Sequence, residues 1–513
     1  MLLDALRYGY TKIRRRGRER RKTMTTNSSN NYDDCSNNMH NCCSDAARSL
    51  YRGLALAPMV RASTTPLRIL ALQYGADFTY TEELVDRSIS QTIRVENKHL
   101  NTIDYVKDPS TLSKKTRKRL ESENNRPCLI LRIDPEQERN KLVCQLGTGE
   151  PELAFQAAAH VIRDVSAIDI NMGCPRKFSI SGGMGAALLE DPDRAARILK
   201  KLKNDLLKPL HKPLSCKIRL LENTQKTVDF VEGMINAGAD AVAIHGRRPG
   251  HDQINAADWD TLEEVLSLLR PKYPTFNFLV NGDFYDRKER IEFVQRTKVD
   301  GVLLGRPALY NTSIFLPLTI TATATGSTIV EAQQQQPLVD KTTVVQEYLR
   351  KSVRYDVHYK NAKYVVCEMM GHRRTPTGRV PYLPINFPGG QTIAKTCNSH
   401  DMQTMCQVWN VNYSDAFASI TNTNTTSSTE TIANGILTAV ANVNADTITP
   451  ITLAAGEHRY EDSYFLKKID AIQVDKADEE KKSSDKKLQQ QHEEVDGDND
   501  NDNQQVSKRA KVL

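Results

Sequence analysis

In Asn171-Met172-Gly173-Cys174-Pro175 a cysteine stands between a glycine and a proline, a setting that puts a thiol on a turn. A thiol of ordinary pKa, about 8.5, is mostly protonated at neutral pH and can give its proton to a carbanion forming beside it. Farther along, Lys217 and His245 could stabilise negative charge on an electron-rich ring. Gln145 offers amide donors and an acceptor for an imide-like edge. Gly282 and Gly305-Arg306 combine close backbone approach with a guanidinium fork, which suits a terminal phosphate. Flavin mononucleotide (FMN) presents all three features: a phosphate, an imide edge and a reduced ring whose anion needs a cation nearby. Adding a hydride to one carbon of an activated C=C bond and a proton to the next requires a flavin beside an acid. Cys174 is the candidate for that acid. The plainer alternative makes Lys217 and His245 satisfied polar residues at strand ends and Cys174 a small hydrophobe.

Such a set must be carried to one place. From about residue 50, short apolar segments alternate with stretches of helical period. The strand-like segments are Leu54–Ala57, Asp77–Tyr80, Lys141–Leu146, Ala167–Met172, Leu214–Arg219, Ala241–His245, Phe276–Asn281 and Gly301–Leu304. Amphipathic stretches such as Glu152–Val165, Asp193–Leu207, Gln225–Ala237, Asp258–Leu269 and Arg287–Arg296 lie between them. Eight strands alternating with helices over about 265 residues predict a (β/α)8 TIM barrel, an α/β fold whose reactive residues project from the C-terminal strand ends.

Reading only those ends returns the chemistry. Pro58-Met59-Val60 follow the first strand, Gln145 ends the third, and Asn171 and Cys174 follow the fourth. Lys217 and Arg219 lie on the fifth, His245-Gly246 ends the sixth, Asn281-Gly282-Asp283 the seventh and Gly305-Arg306 the eighth. Cys144 and Cys216 alternate away from Gln145 and Lys217, into the layer between barrel and helices. A doubly wound sheet is the rival fold, but its dinucleotide fingerprint is missing. Gly182-Gly183-Met184-Gly185 does not open a helix directly behind a strand.

The flanks read differently. Residues 1–49 are basic and then Asn/Ser-rich, and 471–513 are charged; both predict disorder. Residues 1–22 hold nine Lys/Arg against Asp4 and Glu19, residues 475–503 eleven acids against five lysines, and 504–513 three cations, so residues 23–474 carry only about +3 of the net +7. Net charge alone is therefore no argument for a nucleic-acid partner. The insertion Lys107–Pro127, with Lys114-Lys115-Thr116-Arg117-Lys118-Arg119, reads as a solvated loop. Residues 318–340 read as a linker after a barrel spanning 50–317, and a helical segment runs from Thr342 to about Met370. That segment opens a smaller helical domain, 341–470, interrupted by low-complexity sequence at 418–455. No apolar run approaches the roughly 18 residues of a membrane span, so no membrane partner is expected. The His40, Cys42, Cys43 group lacks a second ligand pair, so no metal is expected. Ten irregularly spaced cysteines and no secretory signal fit reduced thiols in the cytoplasm or nucleus. The Arg-rich start leaves a mitochondrial address open, and Lys508-Arg509-Ala510-Lys511 a nuclear one.

At these residues the sequence resembles the tRNA-dihydrouridine synthases. The matching stretches include Leu56-Ala57-Pro58-Met59-Val60, Tyr80-Thr81-Glu82-Glu83-Leu84 and Gln145-Leu146-Gly147. Asp169 through Pro175, Gly182-Gly183-Met184-Gly185-Ala186-Ala187-Leu188-Leu189, Cys216-Lys217-Ile218-Arg219 and Ile244-His245-Gly246-Arg247 continue the set. The wording is nearest the eukaryotic type-2 branch, which acts on uridine 20 of the tRNA D-loop. The resemblance covers residues 50–315 strongly and 341–375 weakly. It implies FMN-dependent, NADPH-consuming reduction of the uracil C5=C6 bond by a monomer acting on tRNA. It implies FMN held by Pro58, Met59, Val60, Gln145, Lys217, His245, Asn281, Gly282, Asp283, Gly305 and Arg306. Cys174 would protonate C5, Asn171 would orient the flipped uracil, and Arg219 and Arg247 would contact substrate. The 341–470 region would bind tRNA, through Arg350, Lys351, Arg354, Lys360 and Lys363.

The sequence departs from its relatives in three places. Arg176 to Ser181 lacks a lysine just before the glycine pair, Lys114–Arg119 is extra, and no double-stranded RNA-binding pattern follows residue 375. Two other classes stay open: an FMN barrel oxidoreductase acting on a small molecule, and a non-catalytic RNA-binding relative.

Overall fold

The computed structural model describes residues 47–416 apart from 48, 123–126, 252–254, 318, 326–327, 335–336 and 371–389. The expected low-complexity interruption at 418–455, the charged tail, the basic start and the His40–Cys43 group lie outside the described residues. Among the described residues no helix is long and apolar enough to cross a membrane, and none of their His, Cys, Asp and Glu side chains cluster as metal ligands would.

Eight parallel strands close on themselves. They are β1 (Gly53–Leu56), β2 (Phe78–Tyr80), β3 (Leu142–Gly147), β4 (Ala167–Asn171), β5 (Leu214–Arg219), β6 (Ala241–His245), β7 (Asn277–Asn281) and β8 (Gly301–Leu304). Each pairs with the next, and β8 pairs with β1 in the register Gly53 to Gly301 through Leu56 to Leu304, which closes the barrel. All eight sequence-expected strands are present, with shifts of a residue or so at their ends.

The strands are buried on both faces, so they read as apolar runs rather than alternating ones. Their period of two still sorts the side chains. Ala55, Phe78, Tyr80, Val143, Ala167, Ala241, Ala243, Leu279 and Leu303 fill the barrel. Leu142, Cys144, Ile168, Ile170, Cys216, Val242 and Ile244 face the helices, so Cys144 and Cys216 lie in the outer layer as their alternation requires.

The helices after these strands are α1 (Thr65–Gln73), α2 (Asp86–Ser90), α3 (Pro151–Val161), α4 (Pro192–Leu202), α5 (Thr224–Asn236), α6 (Trp259–Lys272), α7 (Arg287–Thr297) and α8 (Arg306–Tyr310). Several start on side-chain caps. Asp258 accepts from the Thr261 backbone N–H at 2.9 Å and from its hydroxyl at 2.8 Å, satisfying donors that the first turn of α6 leaves open. Asp258→Ala will cost about 1 kcal/mol of folding stability, read as a lower urea midpoint. An unchanged midpoint would mean the cap contributes nothing.

Four features differ from expectation. Between α2 and β3 the chain builds a three-stranded antiparallel sheet from Thr92–Asn97, Thr102–Lys107 and Leu129–Ile133. Inside Lys107–Pro127, expected as a loop, Lys114–Ser122 is a helix, and Ser113 Oγ accepts from the Thr116 N–H at 3.1 Å at its start. Lys114, Lys115, Arg117 and Lys118 are exposed there, so the cationic stretch is solvated as predicted but on a helical frame. The linker region carries an antiparallel pair, Thr319–Thr325 with Thr328–Gln334. The single helical segment expected up to Met370 is two helices, α9 (Lys341–Arg354) and α10 (Tyr359–Met370), broken where Asp356 takes a positive φ of 46°. Two more follow, α11 (Gly390–Asn398) and α12 (Met402–Val408).

These helices dock on the barrel and on the inserted sheet. Arg132 on the inserted sheet binds the Asp104 carboxylate through two nitrogens at 2.7 Å and also donates to the Tyr355 carbonyl. Tyr355 in turn donates its hydroxyl to Asp134 at 2.7 Å. A buried Arg68–Glu138 pair ties α1 to the loop after the sheet.

Candidate active site

The residues singled out from sequence line one cleft of about 240 Å³ at the C-terminal ends of the strands. All fifteen are there. A larger cavity of about 470 Å³, between α1, the inserted sheet and the stretch from Tyr355 into the start of α10, holds none of them.

The wall formed after β1 depends on a serine clamp. Ser63 Oγ donates to the Ala57 carbonyl at 2.8 Å and accepts from the Met59 N–H at 3.1 Å, which fixes Pro58 and Met59 between the strand end and α1. Met59 lies against Gly305 across the β8–β1 seam, and Val60 stays half exposed.

The floor is a buried polar chain. Gln145 donates from Nε2 to Asp169 at 2.8 Å and accepts from Asn171 Nδ2 at 3.2 Å. Ser215 donates to the other oxygen of Asp169 at 2.6 Å. Burial pushes the Asp169 carboxyl up to about 6 despite these donors and the nearby Lys217 ammonium. Asn171 uses its Oδ1 to cap the next turn, accepting from the backbone N–H of Gly173 at 2.9 Å and of Cys174 at 3.0 Å. The asparagine expected to orient a base is therefore also the clamp that shapes the cysteine turn.

Cys174 is half-buried at the rim. Burial raises its thiol pKa first and the neighbouring Glu83 carboxyl raises it further, so it is a protonated acid at neutral pH. Gly185 packs beneath it with φ of +59°, and a Cβ there would come within 2.6 Å of the Cys174 carbonyl oxygen and 2.9 Å of its Cβ. Gly185→Ala will therefore lose about 1–3 kcal/mol of stability and disturb the thiol. A thermal melt superimposable on wild type would refute the close contact.

On the opposite wall Lys217 and His245 project from β5 and β6, two residues apart in the register that pairs Ala243 with Lys217 and His245 with Arg219. Burial, and then the adjacent Arg219, lower the Lys217 ammonium to about 8. Burial and the surrounding cations Lys217, Arg219, Arg247 and Arg306 lower His245 well below its usual value, leaving a neutral imidazole. Arg247 Nη1 lies 3.3 Å from His245 Nε2. An arginine only donates, so the imidazole keeps its proton on Nδ1.

Beyond them Asp283 is a hub. Its carboxylate pairs with Arg247 and with Arg306, the latter at 2.6 Å, and accepts the Ala257 N–H at 2.8 Å. The Trp259 indole donates to the Gly282 carbonyl at 2.9 Å, and Asn281 donates to the Leu303 carbonyl at 2.8 Å, which fixes the β7 end against β8.

The two arginines expected at substrate are engaged elsewhere. Arg247 is only 2% exposed and also donates to the Asn255 carbonyl at 2.7 Å. Arg219 donates to the carbonyls of Gly173, Arg248 and His251 at 2.7, 3.0 and 3.2 Å, stitching the Cys174 turn to the loop after β6. Both line the cleft through their bodies, with their hydrogen bonds directed into its frame.

Sequence reasoning passed over Glu83, quoted only inside a matching stretch, and gave Asp169 no role. Glu83 follows the end of β2 and lines the cleft. The strand-end rule applied to that strand would have found it.

Of the basic residues expected to bind tRNA on the helical segment, Arg350 and Lys360 are exposed. Arg354 donates to the Leu100 carbonyl at 3.0 Å, and Lys363 to the carbonyls of Cys397 and Ser399 at 2.9 and 2.8 Å. Burial lowers the Lys351 ammonium.

Residues 55–374 match the family model described as dihydrouridine synthase. The chain is 35% identical over 320 residues to the tRNA-dihydrouridine(20) synthase of Schizosaccharomyces pombe, a match spanning 62% of this chain and 59% of that protein. It is 33% identical over 329 residues to the tRNA-dihydrouridine(20) synthase of Saccharomyces cerevisiae, across 62% and 77% of the two chains. With the tRNA-dihydrouridine(16/17) synthase of Schizosaccharomyces pombe it shares 31% over 266 residues, 51% of this chain and 57% of that protein. The match thus covers less than two thirds of the first relative's length. The names of all three relatives specify NAD(P)+.

Proposed function

The chain belongs to the dihydrouridine synthase family, and on that premise we propose that it reduces the C5=C6 bond of a D-loop uridine in tRNA, at position 20, to 5,6-dihydrouridine. NADPH is the reductant and FMN the resident cofactor. The observation that carries this reading is the convergence of a protonated thiol, a buried lysine beside a neutral imidazole, and an arginine–glycine corner in one cleft.

The donor set fits FMN. Lys217, Arg219, Arg247 and Arg306 outnumber Glu83, Asp169 and Asp283 there, so the cleft favours an anion. Gly282, Gly305 and Arg306 would hold the phosphate, Asp283 fixing the plane of the Arg306 guanidinium. Gln145 would meet the imide edge, while Lys217 and His245 would lie at the ring. Pro58, Met59, Val60 and Asn281 complete the walls. When bound, reduced FMN supplies the hydride for C6 of the uracil.

The protein supplies the rest. Cys174 gives the proton of its Sγ–H to C5, and Asn171 fixes the shape of the cysteine turn that presents it. Lys217 and the Nδ1–H of neutral His245 stabilise negative charge beside the acid. The target base, stacked in folded tRNA, must be splayed out to enter the cleft. Arg219 and Arg247 then shape the pocket through their carbonyl and carboxylate partners. Arg350 and Lys360, exposed on the helical segment, would meet the tRNA backbone. Such a monomer would work where tRNA is processed, in cytoplasm or nucleus.

The test is purified flavin-loaded protein, NADPH and unmodified tRNA transcript, with dihydrouridine mapped by mass spectrometry. A two-hydrogen gain at D-loop uridine 20 supports the reading. Reduction of free pyrimidines or enones with tRNA untouched would replace it with a small-molecule reductase.

A further inference from the structure

Glu83 stands just past β2, in the same cleft as Cys174. Its carboxyl presses against β3 where residue 147 is glycine: a Cβ on Gly147 would lie 2.6 Å from Glu83 Oε1. That oxygen is buried without a hydrogen-bond partner among the described residues, as is the Oγ of neighbouring Ser179. Buried acceptors are normally satisfied, so an exception invites a functional account.

The Cys174 thiol is the group that supplies one. Burial raises the Glu83 carboxyl, while the Cys174 thiol and the Ser179 hydroxyl pull it back down. Across the cleft, Lys217 and Arg219 on β5 are the charges facing the thiol, and both favour thiolate. Glu83 is the opposing charge. The balance matters because a thiolate beside an activated alkene is a strong nucleophile, able to add to the carbon meant for hydride.

We propose that Glu83 is a positioning residue for Cys174: its carboxylate keeps the thiol protonated between turnovers and passes it the next proton from solvent. The inference rests on the reductase reading for its place in the cycle. The proton leaves Sγ for C5 as the new C–H bond takes the carbanion's electron pair, and a thiolate is left beside a carboxylate. A proton from water enters through the Glu83 carboxyl and re-forms the S–H bond.

Purified flavin-loaded enzyme without tRNA is alkylated with iodoacetamide from about pH 6 to about pH 10, a range bracketing an ordinary thiol. The Cys174 peptide is quantified by mass spectrometry. Glu83→Gln should lower the midpoint of Cys174 alkylation by about one unit or more, making alkylation at pH 7 about tenfold faster. Glu83→Asp keeps the charge but withdraws it, and should give a smaller downward shift. A Gln midpoint equal to wild type would overturn the proposal. Should the Gln variant not fold, an Asp midpoint identical to wild type would overturn it as well. Alkylation involves no tRNA chemistry, so a wild-type protein that makes no dihydrouridine would sink the reductase reading alone.

Discussion

Cys174→Ala will lower dihydrouridine formation by about 10²–10⁴-fold while flavin content and the rate of flavin reduction by NADPH stay at wild-type levels. The variant isolates the proton because the turn does not depend on the side chain. Asn171 caps the backbone N–H groups of Gly173 and Cys174, and alanine keeps both. Gly185 continues to pack against the same carbonyl. The flavin half of the reaction belongs to the other wall, with Lys217, His245 and the Asp283 corner. Stopped-flow absorbance separates the two halves: reduction by NADPH should be unchanged, and reoxidation by tRNA should slow. Equal reoxidation rates would mean that another group is the acid. Lys217, whose burial brings its ammonium to about 8, would then be the nearest candidate.

The second large effect is structural. Asp283→Asn will destabilise the protein by about 3–5 kcal/mol. Asparagine keeps the shape and tolerates the left-handed backbone that Asp283 adopts, φ of +53°, so the change isolates the charge. What it removes is the counter-charge to Arg247, which is buried, and to Arg306. A buried guanidinium whose carboxylate is neutralised retains its desolvation cost without its attraction. Urea unfolding read by tryptophan fluorescence fits the purpose, because Trp259 bonds the adjacent Gly282. Flavin retention should fall in parallel, since the same carboxylate aims Arg306. A loss under about 1 kcal/mol, the range of exposed pairs, would show that the corner holds together by other means.

The barrel was legible because parallel strands buried on both faces must be apolar runs, and eight of them leave eight regular marks. The site was legible for a related reason, since strand C-termini are where such a fold exposes polar residues. What escaped was whatever obeys neither rule. The Thr92–Ile133 sheet alternates polar and apolar residues and lies between two barrel strands, so it reads as an insertion without architecture. The Lys114–Ser122 helix has too few apolar residues to show a face. Asn171, Arg219 and Arg247 were found, but their partners are backbone carbonyls, amides and a carboxylate brought near by the fold, which residue types cannot announce. Glu83 was missed because β2 is three residues long and its end was passed over.

The anchoring of Tyr355 has a further consequence. Its carbonyl takes Arg132 from the inserted sheet, its hydroxyl reaches Asp134, and Gln137 donates to that hydroxyl at 2.9 Å. Buried Val344, Val345, Tyr348 and Leu349 of α9 belong to the same apolar cluster as Leu67, Leu70 and Ala71 of α1. The insertion and the helices beyond the barrel thus behave as two halves of one clasp closed around α1. Shortening either half would leave the other with an unmatched surface, so lengths in these two distant parts of the chain are expected to vary together rather than independently.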